Sequence, residues 1–236
     1  MALPQINDIP KYNLTIPSTG QEVTFKPFLV KEQKVLLIAL ESGDDKQILR
    51  SIIDTITSCI LDKINVEKLA TFDLEYIFTQ IRSKSAGETT KLNLVCNKCE
   101  ETTPTVVNLE EIEIDVDVKD KIITLNDKYT LVMRYPNYKG VLLNMGASDN
   151  DSVTNAVFEM IIMCLDELRT EEEIIKFDDE NRESIDAFVG GLTNSQIESV
   201  MNFVEEIPKL EHDITFNCTH CNTVNEIKLQ GLQDFF

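Results

Sequence analysis

Leu92-Asn93-Leu94-Val95-Cys96-Asn97-Lys98-Cys99 and Asp213-Ile214-Thr215-Phe216-Asn217-Cys218-Thr219-His220-Cys221 state one pattern twice. Each is an extended apolar run that ends in C-x-x-C. A second strand-like run follows each pair, from Thr105 to Leu109 and from Thr223 to Leu229. Strand, turn with two thiols, strand is the layout of one finger of a zinc ribbon. Two fingers supply four ligands, so the spacing predicts one Zn2+ held by Cys96, Cys99, Cys218 and Cys221. Four thiolates fill a tetrahedral shell and leave no open position, which makes the predicted site structural. A metal shared by both pairs would staple two distant parts of the chain. Two alternatives stay open: buried free thiols without metal, and half-sites completed only in a homo-oligomer. Thiol redox chemistry fits poorly, because it uses C-x-x-C at a helix N-terminus. Here polar, extended sequence follows both pairs.

Working outward from the cysteines, the order of element types repeats. Tyr12, Leu14 and Ile16 alternate, Ser18-Thr19-Gly20-Gln21 turns, and Val23, Phe25 and Phe28 follow, which predicts a hairpin. A helical region is expected from about Val30 to Ser83, and the first cysteine hairpin closes near Glu110. After Glu110, Ile112, Ile114, Val116 and Val118 alternate. Ile122 to Leu125, the turn Asn126-Asp127-Lys128 and Tyr129 to Met133 then predict another hairpin. Helices are expected from about Asp149 to Glu206, before the second cysteine hairpin. Thr24-Phe25-Lys26-Pro27 echoes Met133-Arg134-Tyr135-Pro136. Ile48 to Ile60 echoes Val157 to Leu168, and each carries one cysteine, Cys59 or Cys164. The expected fold is therefore α+β, with two pseudo-repeated halves, 1–110 and 111–236, joined by a split zinc-ribbon-like site.

Individual helices carry clear signals. Ile48, Leu49, Ile52, Ile53, Ile56 and Ile60 form one apolar face at helical spacing, and Phe72, Leu74, Ile77, Phe78 and Ile81 form another. Val153, Val157, Met160, Ile161, Cys164 and Leu165 form a third. Thr193-Asn194-Ser195-Gln196 is a capping-box signal, and Gly190-Gly191 ends the helix before it. Glu171-Glu172-Glu173 after Thr170 reads as an acidic first helical turn. Cys59 and Cys164, on apolar faces, read as core residues. His220 sits within the second knuckle and reads as an exposed turn residue.

Composition narrows the function. The 236 residues carry a net charge of −19, and 42% are hydrophobic. No basic cluster is long enough to track a phosphate backbone, so direct nucleic-acid binding is not expected. No run approaches ~20 apolar residues, so no membrane span is expected. The first residues lack the pattern of an export signal, so the six cysteines are expected to meet a reducing cytosol. With two histidines, no G-x-S-x-G and no phosphate loop, the chain holds little material for catalysis, and no enzyme is expected. Phe235-Phe236 are the candidate partner-binding residues, as an apolar anchor for a neighbour's groove. Folding back into this chain's own core is the alternative.

Ile16-Pro17-Ser18-Thr19-Gly20 and Phe25-Lys26-Pro27-Phe28-Leu29-Val30-Lys31-Glu32-Gln33-Lys34-Val35-Leu36-Leu37 resemble the opening of the baseplate hub proteins of T4-type contractile-tailed phages. Gly231-Leu232-Gln233-Asp234-Phe235-Phe236 is similar to the same family's closing residues. The resemblance implies a non-enzymatic hub component or hub-assembly factor that binds other hub or tube proteins of the tail. It implies residence in the host cytoplasm during assembly and then in the virion tail baseplate. It brings no catalytic residues, and the zinc expectation rests on this sequence alone. The competing expectation is a cytosolic zinc-ribbon adaptor or regulator unrelated to phage tails.

Overall fold

A computed structural model describes residues 9–112, 114, 116, 121–144 and 153–231. The protein is mixed α+β, with helices and small antiparallel sheets. It divides into two compact units, residues 1–116 with 208–236, and residues 117–207. This partition differs from the expected division at 110/111. The segment from Pro208 onward belongs with the first unit because of where its apolar side chains go. Leu210, Ile214, Phe216 and Leu229 share one buried cluster with Leu92, Leu94, Val107, Leu109 and Ile112.

In the first unit, β1 (Tyr12–Thr15) and β2 (Glu22–Phe25) form the expected hairpin. Helices α1 (Val30–Ser42), α2 (Asp45–Cys59) and α3 (Thr71–Ala86) follow. Asp44 caps α2 by accepting the Lys46 and Gln47 N–H groups. Ile52, Ile53, Ile56 and Cys59 are buried along one face of α2, as its periodicity predicts. Directly after α2, Ile60 bridges to Phe25. The Lys26 N–H donates to the Cys59 carbonyl at 3.0 Å.

Asp73 ties the first hairpin to α3. Its buried carboxylate accepts the Ser18 N–H at 2.8 Å, the Ser18 hydroxyl at 2.5 Å and the Ala70 N–H at 3.1 Å. An acidic side chain in the first turn of a helix also suits the helix dipole. The unit ends in two hairpins: β3 (Thr89–Val95) with β4 (Thr102–Asn108), and β9 (Glu211–Asn217) with β10 (Val224–Gln230). Thr90, Leu92 and Leu94 alternate inward on β3, and Ile214 and Phe216 on β9, so each hairpin buries one face.

The second unit carries the antiparallel sheet β5-β6-β7-β8, made of Ile122–Thr124, Thr130–Met133, Leu165–Arg169 and Ile174–Lys176. Helices α4 (Tyr138–Asn144), α5 (Val153–Cys164), α6 (Arg182–Gly190) and α7 (Asn194–Glu205) complete it. The expectation of helices alone from about 149 to 206 is corrected here, since two strands lie among them. Helix α5 stops at Cys164, and the chain continues as strand, with Leu165 paired to Met133. The Arg134 N–H donates to the Cys164 carbonyl at 2.7 Å.

Glu171-Glu172-Glu173 is not a helical first turn but lies in the turn between β7 and β8. The Thr170 hydroxyl accepts the Glu172 and Glu173 N–H groups, and the Thr170 N–H donates to the Glu173 carbonyl. These bonds satisfy the backbone locally and close a tight turn. The Thr193/Gln196 capping box of α7 is present as expected. Of the alternating run after Glu110, Ile112 is buried against the cysteine hairpins rather than paired in a strand, and Val118 lies outside the described residues. Among the described residues, no helix is long and apolar enough to cross a membrane.

Candidate metal centre

The two C-x-x-C turns share one construction. Val95 pairs with Thr102 and Asn217 with Val224, so each ladder stops one residue before its first cysteine. The Cys96 N–H donates to the Glu101 carbonyl and the Glu100 N–H to the Cys96 carbonyl, both at 3.0 Å. In the second knuckle the Cys218 N–H donates to the Thr223 carbonyl at 2.9 Å, and the Asn222 N–H to the Cys218 carbonyl at 3.0 Å. Both turns close through a left-handed residue, Glu100 at φ 59° and Asn222 at φ 56°. Asparagine tolerates that region, whereas for glutamate it costs on the order of 1 kcal/mol. The Lys98 and His220 N–H groups point at the Cys96 and Cys218 sulfurs at 3.4 Å.

All four predicted cysteines meet. Their sulfurs lie within 4.8 Å of one another, with Cys96 to Cys221 at 3.7 Å and Cys99 to Cys218 at 3.6 Å. None is in a disulfide, a bond that holds sulfurs about 2.05 Å apart. A tetrahedral ion with metal–sulfur bonds of about 2.3 Å sets its sulfurs about 3.8 Å apart, so the arrangement fits a metal ion. Cys96 and Cys218 are buried, and Cys99 and Cys221 are half-buried.

The thiols differ in acidity. The Lys98 and Cys99 N–H groups, with a smaller share from Asn225, draw Cys96 down to about 6. The Cys221 and His220 N–H groups lower Cys218. At Cys99 the Glu101 N–H pulls downward, but burial and three neighbouring sulfurs outweigh it and push the thiol up to about 12. Without a cation the cluster sets Cys96 and Cys218, both made more acidic, beside Cys99, which holds its proton. A divalent metal reverses that balance by favouring thiolates.

Two further residues belong to the centre, and the cysteine motif does not reveal them. Asn225 lies four residues after Cys221 and Thr103 four residues after Cys99, and both are buried. Each reaches across to the opposite knuckle. The Asn225 Oδ1 accepts the Asn97 N–H at 2.9 Å, and the Thr103 Oγ1 accepts the Thr219 N–H at 3.3 Å. The available signal was their matching position after each pair.

The remaining expected residues separate from the cluster. Cys59 and Cys164 are fully buried at the ends of α2 and α5, as predicted for core residues, and burial raises both thiols, Cys164 to about 12. His220 is exposed in its turn. Phe235 and Phe236 lie outside the described residues.

A family model described as T4 bacteriophage base plate protein matches residues 9–236, nearly the whole chain. No curated protein and no solved structure matches the chain. The match includes the N-terminal and C-terminal segments that carry the resemblance, and it also spans both units and both cysteine pairs. The chain belongs to the T4 bacteriophage base plate protein family.

Proposed function

We propose that this protein is a non-enzymatic structural or assembly component of the phage baseplate hub. It would bind other tail proteins through a platform that zinc holds rigid. The family match over residues 9–236 carries the baseplate reading. The convergence of four cysteine sulfurs supports the zinc staple. The ion would be bound by Cys96, Cys99, Cys218 and Cys221, and its contribution is to lock β3-β4 against β9-β10. Four thiolates leave it no position for substrate. The site residues and the metal are one testable unit: purified protein should carry about one zinc per chain, and protein prepared without chelator that carries none would overturn the staple.

In this reading the chain is a duplicated plan. Lys26 N–H to Cys59 carbonyl and Arg134 N–H to Cys164 carbonyl are the same bond in two settings. The Phe25–Ile60 bridge and the Met133–Leu165 pair match in the same way. Residues 1–110 and 111–236 are then the two copies. The compact units divide the chain elsewhere because the cysteine hairpin of the second copy packs beside that of the first. Among the described residues, the hairpin β7–β8 has no counterpart in the first copy.

Binding to neighbours is supported by α1. It buries Leu36 and Ala39 but leaves Val30, Val35, Leu37, Ile38 and Leu40 exposed. A helix apolar on several sides is ordinarily covered, and for a baseplate protein the cover is another tail subunit. Phe235 and Phe236 are the second proposed anchor. The direct test is co-purification of baseplates from infected cells, followed by mass spectrometry of finished particles. Absence of the protein from both assembly intermediates and particles would overturn the hub assignment.

A further inference from the structure

We propose that Asn225 and Thr103 are positioning residues that hold the two knuckles at ligand distance. The inference rests on the zinc reading of the four-cysteine cluster. It begins from a problem of chain entropy. Cys99 and Cys218 are 119 positions apart, and an ion cannot be held by four sulfurs until two separate hairpins have met. Packing of the apolar faces brings the hairpins together, but side-chain packing alone does not fix the tips.

The tips are fixed by crossed hydrogen bonds. Asn225 is 2% exposed. Its Nδ2 donates to the Thr223 carbonyl at 2.9 Å on its own knuckle and reaches the Cys96 sulfur of the other at 3.5 Å. Its Oδ1 takes the Asn97 N–H at 2.9 Å. One acceptor and two donors are all used, which matches an amide better than a carboxylate or hydroxyl. Thr103, 3% exposed, does the reciprocal work. Its Oγ1 takes the Thr219 N–H at 3.3 Å and pairs with the Thr219 hydroxyl at 3.4 Å. Each residue therefore takes the N–H that follows the first cysteine of the opposite knuckle, and Asn225 also reaches that cysteine's sulfur. Neither is a metal ligand. Hydrogen-bond partners behind the ligands orient them and tune the sulfur.

The experiment measures zinc affinity of the full chain by competition with a chromogenic chelator, and the release rate of the ion. Asn225→Ala should weaken binding about 10- to 100-fold and speed release. Thr103→Val should weaken it in the same direction. Asn225→Thr restores the acceptor and one donor, the group that serves at the equivalent position, and should recover part of the affinity. Cobalt(II) substitution supplies a readout that mere loss of packing does not move: the sulfur-to-cobalt charge-transfer band should shift in Asn225→Ala and return towards wild type in Asn225→Thr. Wild-type affinity, release and spectrum in Asn225→Ala and Thr103→Val would overturn the proposal. So would equal weakening in Asn225→Ala and Asn225→Thr with an unshifted band. If Asn225→Ala fails to fold, Thr103→Val decides the question from the other knuckle. A wild-type chain that takes up neither zinc nor cobalt overturns the zinc reading and this inference together, whereas unchanged variants of a zinc-loaded chain overturn this inference alone.

Discussion

The Cys99 and Cys218 sulfurs lie 3.6 Å apart although 119 positions separate them in the chain. A bond network closing so long a loop acts on the whole of the first unit. Structural zinc contributes on the order of 10–16 kcal/mol in small peptides, part of which becomes folding free energy. Cys218→Ser should abolish stoichiometric zinc and lower the melting temperature by on the order of 10 °C or more, given about 2–4 °C per kcal/mol at this size. The segment from Pro208 onward should become sensitive to limited proteolysis. A variant that loses zinc and melts like the wild type would show that the hairpins are held by their apolar cluster alone.

Zinc affinity should fall steeply with acid. Cys96, near 6, is ionised at neutral pH, while Cys99, near 12, holds its proton. Zinc binds the thiolate forms, so loading must expel at least the Cys99 proton. Protons then compete with the metal, and the apparent affinity should weaken about tenfold or more for each unit of pH lowered between 8 and 6. Titrations that give one affinity across that range would contradict the four-thiolate assignment.

The six cysteines should divide into two classes by reactivity. Cys59 and Cys164 are fully buried, and burial raises both thiols. The thiolate is the reactive form, so both should resist alkylation until the chain unfolds. After gentle chelation Cys96, Cys99, Cys218 and Cys221 should label, Cys96 among the first. Peptide mapping by mass spectrometry reads this directly. Early labelling of Cys164 in the folded chain would place it outside the core. Cys164→Ala should behave as a modest core truncation with zinc content intact.

The knuckles were legible because metal chemistry fixes residue type and spacing together, and the strands around Cys96 and Cys218 alternate cleanly. The first hairpin and the cap at Thr193 were legible for the same reason: each is a local rule with local residues. The junction at Cys164 and Leu165 was not. Apolar residues continue at helical spacing from Val157 through Leu168, and nothing local marks the change. The strand forms because Arg134 and Met133 offer backbone partners, which is tertiary information. The acidic run after Thr170 misled for a related reason, since a threonine followed by glutamates suits a helix start and an ST-turn alike. Asp73 was unreadable because its main partner, Ser18, is 55 positions away. Asn225 and Thr103 bond across two hairpins whose meeting no single-strand pattern encodes.

Helix α1 gives the assembly reading its sharpest test. Leu37 and Ile38 are each more than half exposed, so charged replacements should leave the fold unstrained. Leu37→Lys with Ile38→Glu should change the melting temperature little, because surface substitutions are usually within about 0.5 kcal/mol. Truncating or repelling a central apolar contact can cost about 2 kcal/mol or more at an interface, roughly thirtyfold in affinity. The double variant should therefore fail to enter baseplates in complementation of a phage lacking this protein. Normal plaques from a folded double variant would move the docking surface away from α1.

Glu75 makes the first unit sensitive to pH without involving the metal. Burial raises its carboxyl from 4.5 to about 7, against a smaller opposing pull from the Leu210 N–H. The side chain packs under the end of β10, where a methyl added at Gly231 would meet its Oε1 at 3.5 Å. The sign follows from which state binds the proton better. The folded value lies above the unfolded one, so between about 4.5 and about 7 the unfolded chain sheds its proton while the folded chain keeps it. Stability contributed by the neutral acid is fully present below 4.5 and is lost as pH rises through 7. Glu75→Gln keeps the shape and stays neutral. It should match the wild type near pH 4.5 and exceed it at pH 8 by up to roughly 3 kcal/mol. Urea unfolding of the two proteins side by side at pH 4.5, 6 and 8 measures the difference, because any zinc lost in acid is lost from both. Curves for the two proteins that run parallel across that range would mean that Glu75 finds solvent or a cation in the folded chain and ionises there without cost.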